Sequence, residues 1–208
     1  DSSGRKWHAL SVLLFALALL SKASVVVLPV VLLGIAWWRR RRIMRKDLLH
    51  LAPFFVLSAV SSAVTIWFQH NRAIRGPRAG PADWAERLAL VGKTFWFYPY
   101  KALLPVRLSM IYPRWDIASP GVIDFVPLLL AVVAGVVLFR FRRGWARPVL
   151  LGLVCYFAGL LPVLGFLDMG FMVHSFVADH WHYLSLPCLI ALAVGLLWYF
   201  LARAGRTV

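Results

Sequence analysis

The chain has 208 residues, of which 62% are hydrophobic and 15% charged, with ten tryptophans and a mean hydropathy of +0.77. That composition excludes disordered, collagenous and disulfide-scaffold classes, and several apolar runs are each long enough to cross a hydrocarbon core ~30 Å thick. The formal charge of +15 is gathered in blocks between apolar runs, which marks the cytoplasmic side of a bilayer and excludes nucleic acid as the expected partner.

The composition predicts an all-α, polytopic integral membrane protein. It should form one membrane domain over 1–208, with about six membrane-embedded helices and one amphipathic interfacial helix. The chain opens Asp1-Ser2-Ser3-Gly4, without an initiator methionine or a signal-peptide pattern, and ends directly after an apolar run. The expectation is a fragment of a larger chain.

Residues 9–38 are apolar apart from Ser11 and the break Ser21-Lys22-Ala23-Ser24. As one helix they would reach ~45 Å, too long for a span without strong tilt. A lysine at a helix centre in lipid costs ~2.5–3.5 kcal/mol. A hairpin, with 9–20 rising and 25–38 descending, relieves both problems; a single tilted helix is the alternative. The block Arg39, Arg40, Arg41, Arg42, Arg45 and Lys46 follows, and 48–68 then leaves the cytoplasm.

Residues 69–121 form an external segment. A turn-rich stretch at 75–81 precedes Trp84, Leu88, Val91, Phe95 and Trp96 at helical spacing, with Asp83, Glu86, Arg87 and Lys93 largely opposite. This predicts an amphipathic helix over 83–97, lying in the headgroup plane or packed as ordinary core. Residues 122–139 return to a second basic block, Arg140, Arg142, Arg143 and Arg147. Residues 148–167 leave again, with Pro148 at a helix start. A short outer loop over 168–181 precedes the last helix, 183–202. Cys155 and Cys188 both sit in apolar runs, which speaks against a structural disulfide.

Three features carry possible chemistry. Lys22, recessed in the outer half of the membrane, suits a phosphate; a snorkelling lysine without a ligand is the plainer reading. The outer loop holds His174, Asp179, His180 and His182. His-x5-His-x-His can supply zinc ligands, but no cysteine or carboxylate pair supports it, and no metal or cofactor is assigned. Asp179 beside His180 suits acid/base work or the orientation of a polar substrate; alone, Asp179 also suits a helix N-terminus. Tyr98-Pro99-Tyr100-Lys101 and Tyr112-Pro113-Arg114-Trp115 suit sugar rings and lipid phosphates, or simple interfacial anchoring. P-loop, Rossmann and nucleophile-elbow signatures are absent.

Five motifs, in this order, resemble a known family over most of 10–200. They are Leu19-Leu-Ser-Lys22 with Leu28-Pro29; Pro53-Phe-Phe55 and its serine/threonine-containing continuation to Gln69; Gly92-Lys-Thr-Phe-Trp96 with Tyr112-Pro113; Leu160-Leu-Pro-Val-Leu-Gly165; and Ala178-Asp-His-Trp-His-Tyr-Leu184. Together they resemble the C-terminal half of the membrane domain of the transmembrane-and-TPR O-mannosyltransferases and their bacterial relatives, in the GT-C glycosyltransferase superfamily.

The resemblance implies transfer of a sugar, by family habit mannose, from a polyprenyl-phosphate donor to an acceptor hydroxyl on a protein or glycan. The reaction would occur at the outer face of the membrane, on the periplasmic side of a bacterial inner membrane. The family's catalytic aspartate lies in a first outer loop that these residues do not contain, so the catalytic base is expected outside this fragment, and a TPR region is expected after it. Lys22 matches the family's Ser-Lys position, and Asp179 and Tyr183 match its Ala-Asp-Arg/His-aromatic-x-Tyr-Leu motif. His180 stands where many members have arginine and is a weaker anion ligand at neutral pH. His182 and His174 complete the expected substrate-binding set. The competing expectations are a non-catalytic membrane scaffold for a TPR array and an O-antigen ligase or polymerase.

Overall fold

The computed structural model describes residues 2–74 and 80–204. Among them there is no strand. The helices are α1 (Ser2–Ser21), α2 (Leu28–Arg40), α3 (Arg45–Phe68), α4 (Trp84–Leu103), α5 (Val126–Arg140), α6 (Ala146–Leu160) and α7 (Leu186–Ala204). Among the described residues, five helical segments are long and apolar enough to cross a membrane: Ala23–Arg40, Arg45–Arg72, Val122–Arg140, Ala146–Val163 and Leu186–Arg203. Leu129, Val136, Val194 and Trp198 on these segments stay exposed, as lipid-facing side chains do and those of a water-soluble bundle do not. The chain is an α-helical membrane protein.

The chain divides into two compact units, Asp1–Arg75 and Gly76–Val208. In the first, α1 stops at Ser21 and Lys22 is extended, with φ −151° and ψ 115°. The 3-10 turn Ala23–Val27 follows, and Pro29 stands in the first turn of α2, where its fixed φ fits and its missing N–H is harmless. The core is Phe15 and Leu19 of α1 against Phe54 of α3, with the Phe15 and Phe54 ring centroids 5.2 Å apart. α2 ends where Arg41 turns left-handed, with φ 59°. The buried Asp47 carboxylate accepts from Arg40 at 2.5 Å and from the Met44 N–H at 3.0 Å, closing the start of α3. Of the turn-rich stretch at 75–81, residues 75–79 lie outside the described residues, as does Arg206.

In the second unit, Asp83 caps α4 by accepting from the Glu86 N–H at 2.9 Å, and Glu86 accepts in turn from the Ala82 N–H. The helix runs past 97, through Pro99, to Leu103. One face of it is core: Leu90, Val91, Thr94 and Tyr98 are buried, while Trp84, Trp96 and Tyr100 remain exposed. Gly92 sets the α4–α5 distance, because a Cβ there would stand 2.7 Å from the Leu128 backbone nitrogen. The Phe95 and Phe157 rings stack at 3.8 Å to join α4 to α6, and α7 packs on α6. Arg87 of α4 donates to the Gly165 and Phe166 carbonyls at 2.9 and 3.0 Å and to Asp168 at 2.8 Å, fixing the start of the 165–185 loop.

Candidate functional site

The site is assembled in the second unit from the end of α4 and two loops, 104–121 and 165–185. Lys101, only 8% exposed, donates to the Val106 carbonyl at 2.7 Å and the Arg107 carbonyl at 3.4 Å. Its ammonium also lies 5.0 Å from the centre of the Tyr112 ring, a favourable cation–π distance. It thereby ties the first loop back onto the helix that precedes it, through the left-handed Arg107 with φ 52°.

The two loops then meet at Asp179. Its Oδ2 accepts from the Ser109 N–H at 2.5 Å and from the Tyr112 hydroxyl at 2.8 Å. Ser175 adds a second fastening: its Oγ accepts from the Tyr112 N–H at 3.2 Å and donates to the Val177 carbonyl at 2.7 Å. Asp179 is 6% exposed, and its Oδ1 has no hydrogen-bond partner among the described residues. Around it lie Tyr98, Tyr156 and His182. The Tyr98 and His182 ring centroids are 5.7 Å apart, and the Tyr156 hydroxyl, His182 Nδ1 and Ser185 Oγ are likewise buried without partners. A buried polar atom left unpaired costs about 1–3 kcal/mol, so this group favours any donor or acceptor that can reach it.

The electrostatics are those of a dry carboxylate. Burial, and then the hydrogen bond to Asp179, pushes the Tyr112 phenol up to about 12. Burial raises the Tyr98 phenol further, with the nearby Tyr156 and Asp179 adding to it. Burial lowers His182 against the opposing pull of Asp179, which leaves a neutral imidazole at pH 7 that can donate from one nitrogen and accept at the other.

Within the second unit, the other residues singled out in the sequence are dispersed. His180 is half-buried, its ring 6.2 Å from Phe171 and 5.9 Å from Trp181. His174 is exposed on another side of Phe171, at 6.3 Å, and Tyr183 is 61% exposed. Lys22 is exposed in the first unit, at the break before the 3-10 turn, and no described residue hydrogen-bonds its ammonium. Among the described residues no group of three or more His, Cys, Asp or Glu is placed to hold a metal. In the sequence Tyr98 stands in an aromatic-proline-basic cluster and Tyr112 in another that also belongs to the third motif, while nothing marks Ser109 or Tyr156. Ser109 acts through its backbone, which no residue pattern reveals, and Tyr156 sits inside an apolar run that reads as core.

Beside this site, α4, α5 and the 104–121 loop enclose a groove of about 810 Å³ lined by Lys93, Trp96, Phe97, Tyr100 and Trp115. Trp96 donates to the Pro127 carbonyl at 2.9 Å and Lys93 pairs with Asp124 at 2.7 Å, so the aromatic wall is held in place. Phe97 is shared, lying 5.6 Å from Trp115 on the groove side and 5.2 Å from Tyr112 on the Asp179 side. Set against protein-family models, curated proteins and solved structures, the chain matches none.

Proposed function

We propose that the chain is a segment of a GT-C-type glycosyltransferase that moves a sugar, mannose by family resemblance, from a polyprenyl-phosphate donor to an acceptor hydroxyl. The observation that carries the reading is the Asp179 carboxylate, buried and clamped through Oδ2 while Oδ1 stays free to accept from a hydroxyl. A fixed, desolvated acceptor of that kind orients a polyol at little reorganisation cost. The five ordered motifs supply the reaction class, and the flat aromatic walls beside the site suit a sugar ring or an isoprenoid unit.

In this reading the acceptor oxygen forms the bond to the anomeric carbon while the bond from that carbon to the phosphate oxygen breaks, with inversion. The acceptor proton passes to a base assigned to no residue of this chain, and the departing lipid phosphate carries away the electron pair. Lys22 is assigned to offset the charge that grows on that phosphate. Asp179 orients substrate through Oδ1, and the neutral His182 supplies a second polar contact; His180, His174 and Tyr183 are assigned to the rim. The protein would be multi-pass in a bacterial inner membrane, with this face periplasmic.

The test is sugar transfer by the full-length protein in detergent from a polyprenyl-phosphate mannose donor. Asp179→Asn, which keeps shape and removes charge, should lower kcat/KM by about 10²-fold, with thermal stability followed alongside. A parent that binds the donor but transfers nothing would favour the membrane-scaffold reading. Parental turnover by Asp179→Asn would remove the site.

A further inference from the structure

In the first unit, α1, α2 and α3 enclose an open cavity of about 510 Å³ whose walls include Ala18, Leu32 and Phe54 and whose only polar linings are His8, Ser11 and His50. The polar residues share one end. The His8 and His50 rings meet edge to face at 5.6 Å, and His8 lies 6.0 Å from Phe54, the next ring inward. The His50 Nδ1 is 2.6 Å from the Lys46 carbonyl, so Nδ1 carries the proton and donates, which leaves Nε2 for another group. The Ser11 hydroxyl is spent on the Trp7 carbonyl at 2.9 Å.

The same end is strongly cationic. Arg5 and Lys6 precede His8 on α1, and Arg45 and Lys46 precede His50 on α3. α2 descends to Arg39 and Arg40 beside them, because Arg40 reaches Asp47 in the first turn of α3. That ion pair also neutralises Asp47, the one acidic side chain described on these helices. An apolar slot that opens under paired imidazoles and a ring of basic side chains matches an amphiphile with an anionic head and a hydrocarbon chain. A free anion would leave the slot empty, and a zwitterionic head would face the basic ring with its own positive charge.

We infer that this cavity is a binding site for one anionic phospholipid, with its phosphate at His8 and His50 and one acyl chain along Ala18, Leu32 and Phe54. This site lies outside the proposed transfer chemistry and does not depend on it. Juxtamembrane basic clusters attract anionic leaflets generally; the cavity converts that diffuse attraction into one retained molecule.

The experiment is native mass spectrometry of the full chain in detergent, titrated with phosphatidylglycerol and, separately, with phosphatidylcholine. One phosphatidylglycerol should be retained about tenfold more tightly than phosphatidylcholine, equal to about 1.4 kcal/mol. The double variant His8→Leu, His50→Leu should erase that preference, whereas Arg41→Gln with Arg42→Gln, which do not line the cavity, should leave the single adduct in place. Ala18→Phe, which fills the slot, should abolish retention of both lipids, and Arg114→Gln in the second unit should change neither. Each variant is compared at matched thermal stability, and a variant too unstable to match is replaced by Leu32→Phe for the slot or His50→Gln for the head. Equal retention of both lipids, or an undiminished preference in the double histidine variant, would overturn the site. So would loss of the adduct on removing Arg41 and Arg42 alone, which would mean surface attraction without a cavity. Absence of any adduct would overturn it as well.

Discussion

The hydroxyl of Tyr112 donates to Oδ2 of Asp179 at 2.8 Å, across 67 residues of chain. That bond joins the loop after α4 to the loop before α7 and decides which carboxylate oxygen is left free. It also makes the phenol hard to ionise. Removing it should therefore be felt in stability, in alkaline behaviour and in the geometry of the site.

Tyr112→Phe should lower stability by about 1.5–3 kcal/mol, the range for a hydrogen bond to a charged group. Asp179→Ala should cost more, since it also removes the short bond from the Ser109 N–H, leaving that donor only the Tyr112 hydroxyl at 3.2 Å. The double variant should cost less than the sum of the two, with a coupling energy of about 0.5–3 kcal/mol. Denaturant titrations of the four proteins in one detergent complete the cycle. Strict additivity would show that the bond contributes nothing.

The alkaline response follows from the raised phenol. With a folded-state value of about 12 against 10 for an unperturbed tyrosine, the unfolded chain loses this proton first. The contribution is complete below pH 10, falls as pH rises from 10 and is gone above 12. Tyr112→Phe should flatten the loss of stability over that window, leaving the part that belongs to the buried Tyr98. Phenolate absorbance of the folded protein, followed with pH, should show one tyrosine fewer titrating near 10 in the parent than in a variant lacking Asp179.

Gly92→Ala sets helix propensity against space. Alanine is better than glycine in a helix by about 1 kcal/mol, but the new Cβ meets the backbone of Leu128, at 2.7 Å from its nitrogen. Backbone cannot step aside as a flexible side chain can, and overpacking costs about 1–3 kcal/mol. The net effect should be a lower Tm, and a larger drop for Gly92→Leu. A rise in Tm would show that α4 and α5 can separate freely.

Lys101→Met should destabilise as well. It keeps the aliphatic stem but removes the ammonium donor from the Val106 carbonyl and leaves the Arg107 carbonyl only the Tyr112 hydroxyl at 3.1 Å, at about 1.5–3 kcal/mol for the loss of a charged donor. Limited proteolysis should cut the 104–121 loop faster in this variant than in the parent.

The helical character of the chain is legible because apolar runs of membrane length leave few alternatives, and the basic blocks delimit their ends. The start of α4 is legible too, since Asp83 and Glu86 stand at capping positions. Its end is not: the helical spacing stops at 97 and Tyr98-Pro99-Tyr100-Lys101 reads as a binding or anchoring cluster, yet the face carrying Leu90, Thr94 and Tyr98 has enough core to carry the helix to Leu103. Lys101 reads as a headgroup contact and is instead a buried fastener, because its acceptors are carbonyls that no sequence pattern announces. The same holds at Asp179, whose partners are a backbone N–H and a tyrosine far away in the chain. Tyr183, next to it in sequence, turns outward, since the 3-10 turn Asp179–His182 repeats every three residues and returns His182 to the same side; His174 is exposed at the end of a separate 3-10 turn, Gly170–Val173.

The most direct measurement of the central claim is turnover by Lys22→Met in the full-length protein, with polyprenyl-phosphate mannose as donor and Tm recorded in parallel. Lys22 stands exposed at the break between α1 and the 3-10 turn, with no described hydrogen bond to its ammonium, so methionine should leave the fold intact. If that ammonium meets the charge growing on the leaving phosphate, its loss should cost ~2.7–4 kcal/mol of transition-state stabilisation, or about 10²–10³ in rate. Lys22→Arg should keep part of the activity, because it retains charge in a different shape. A Lys22→Met protein of unchanged Tm that transfers sugar at close to the parental rate would contradict the account.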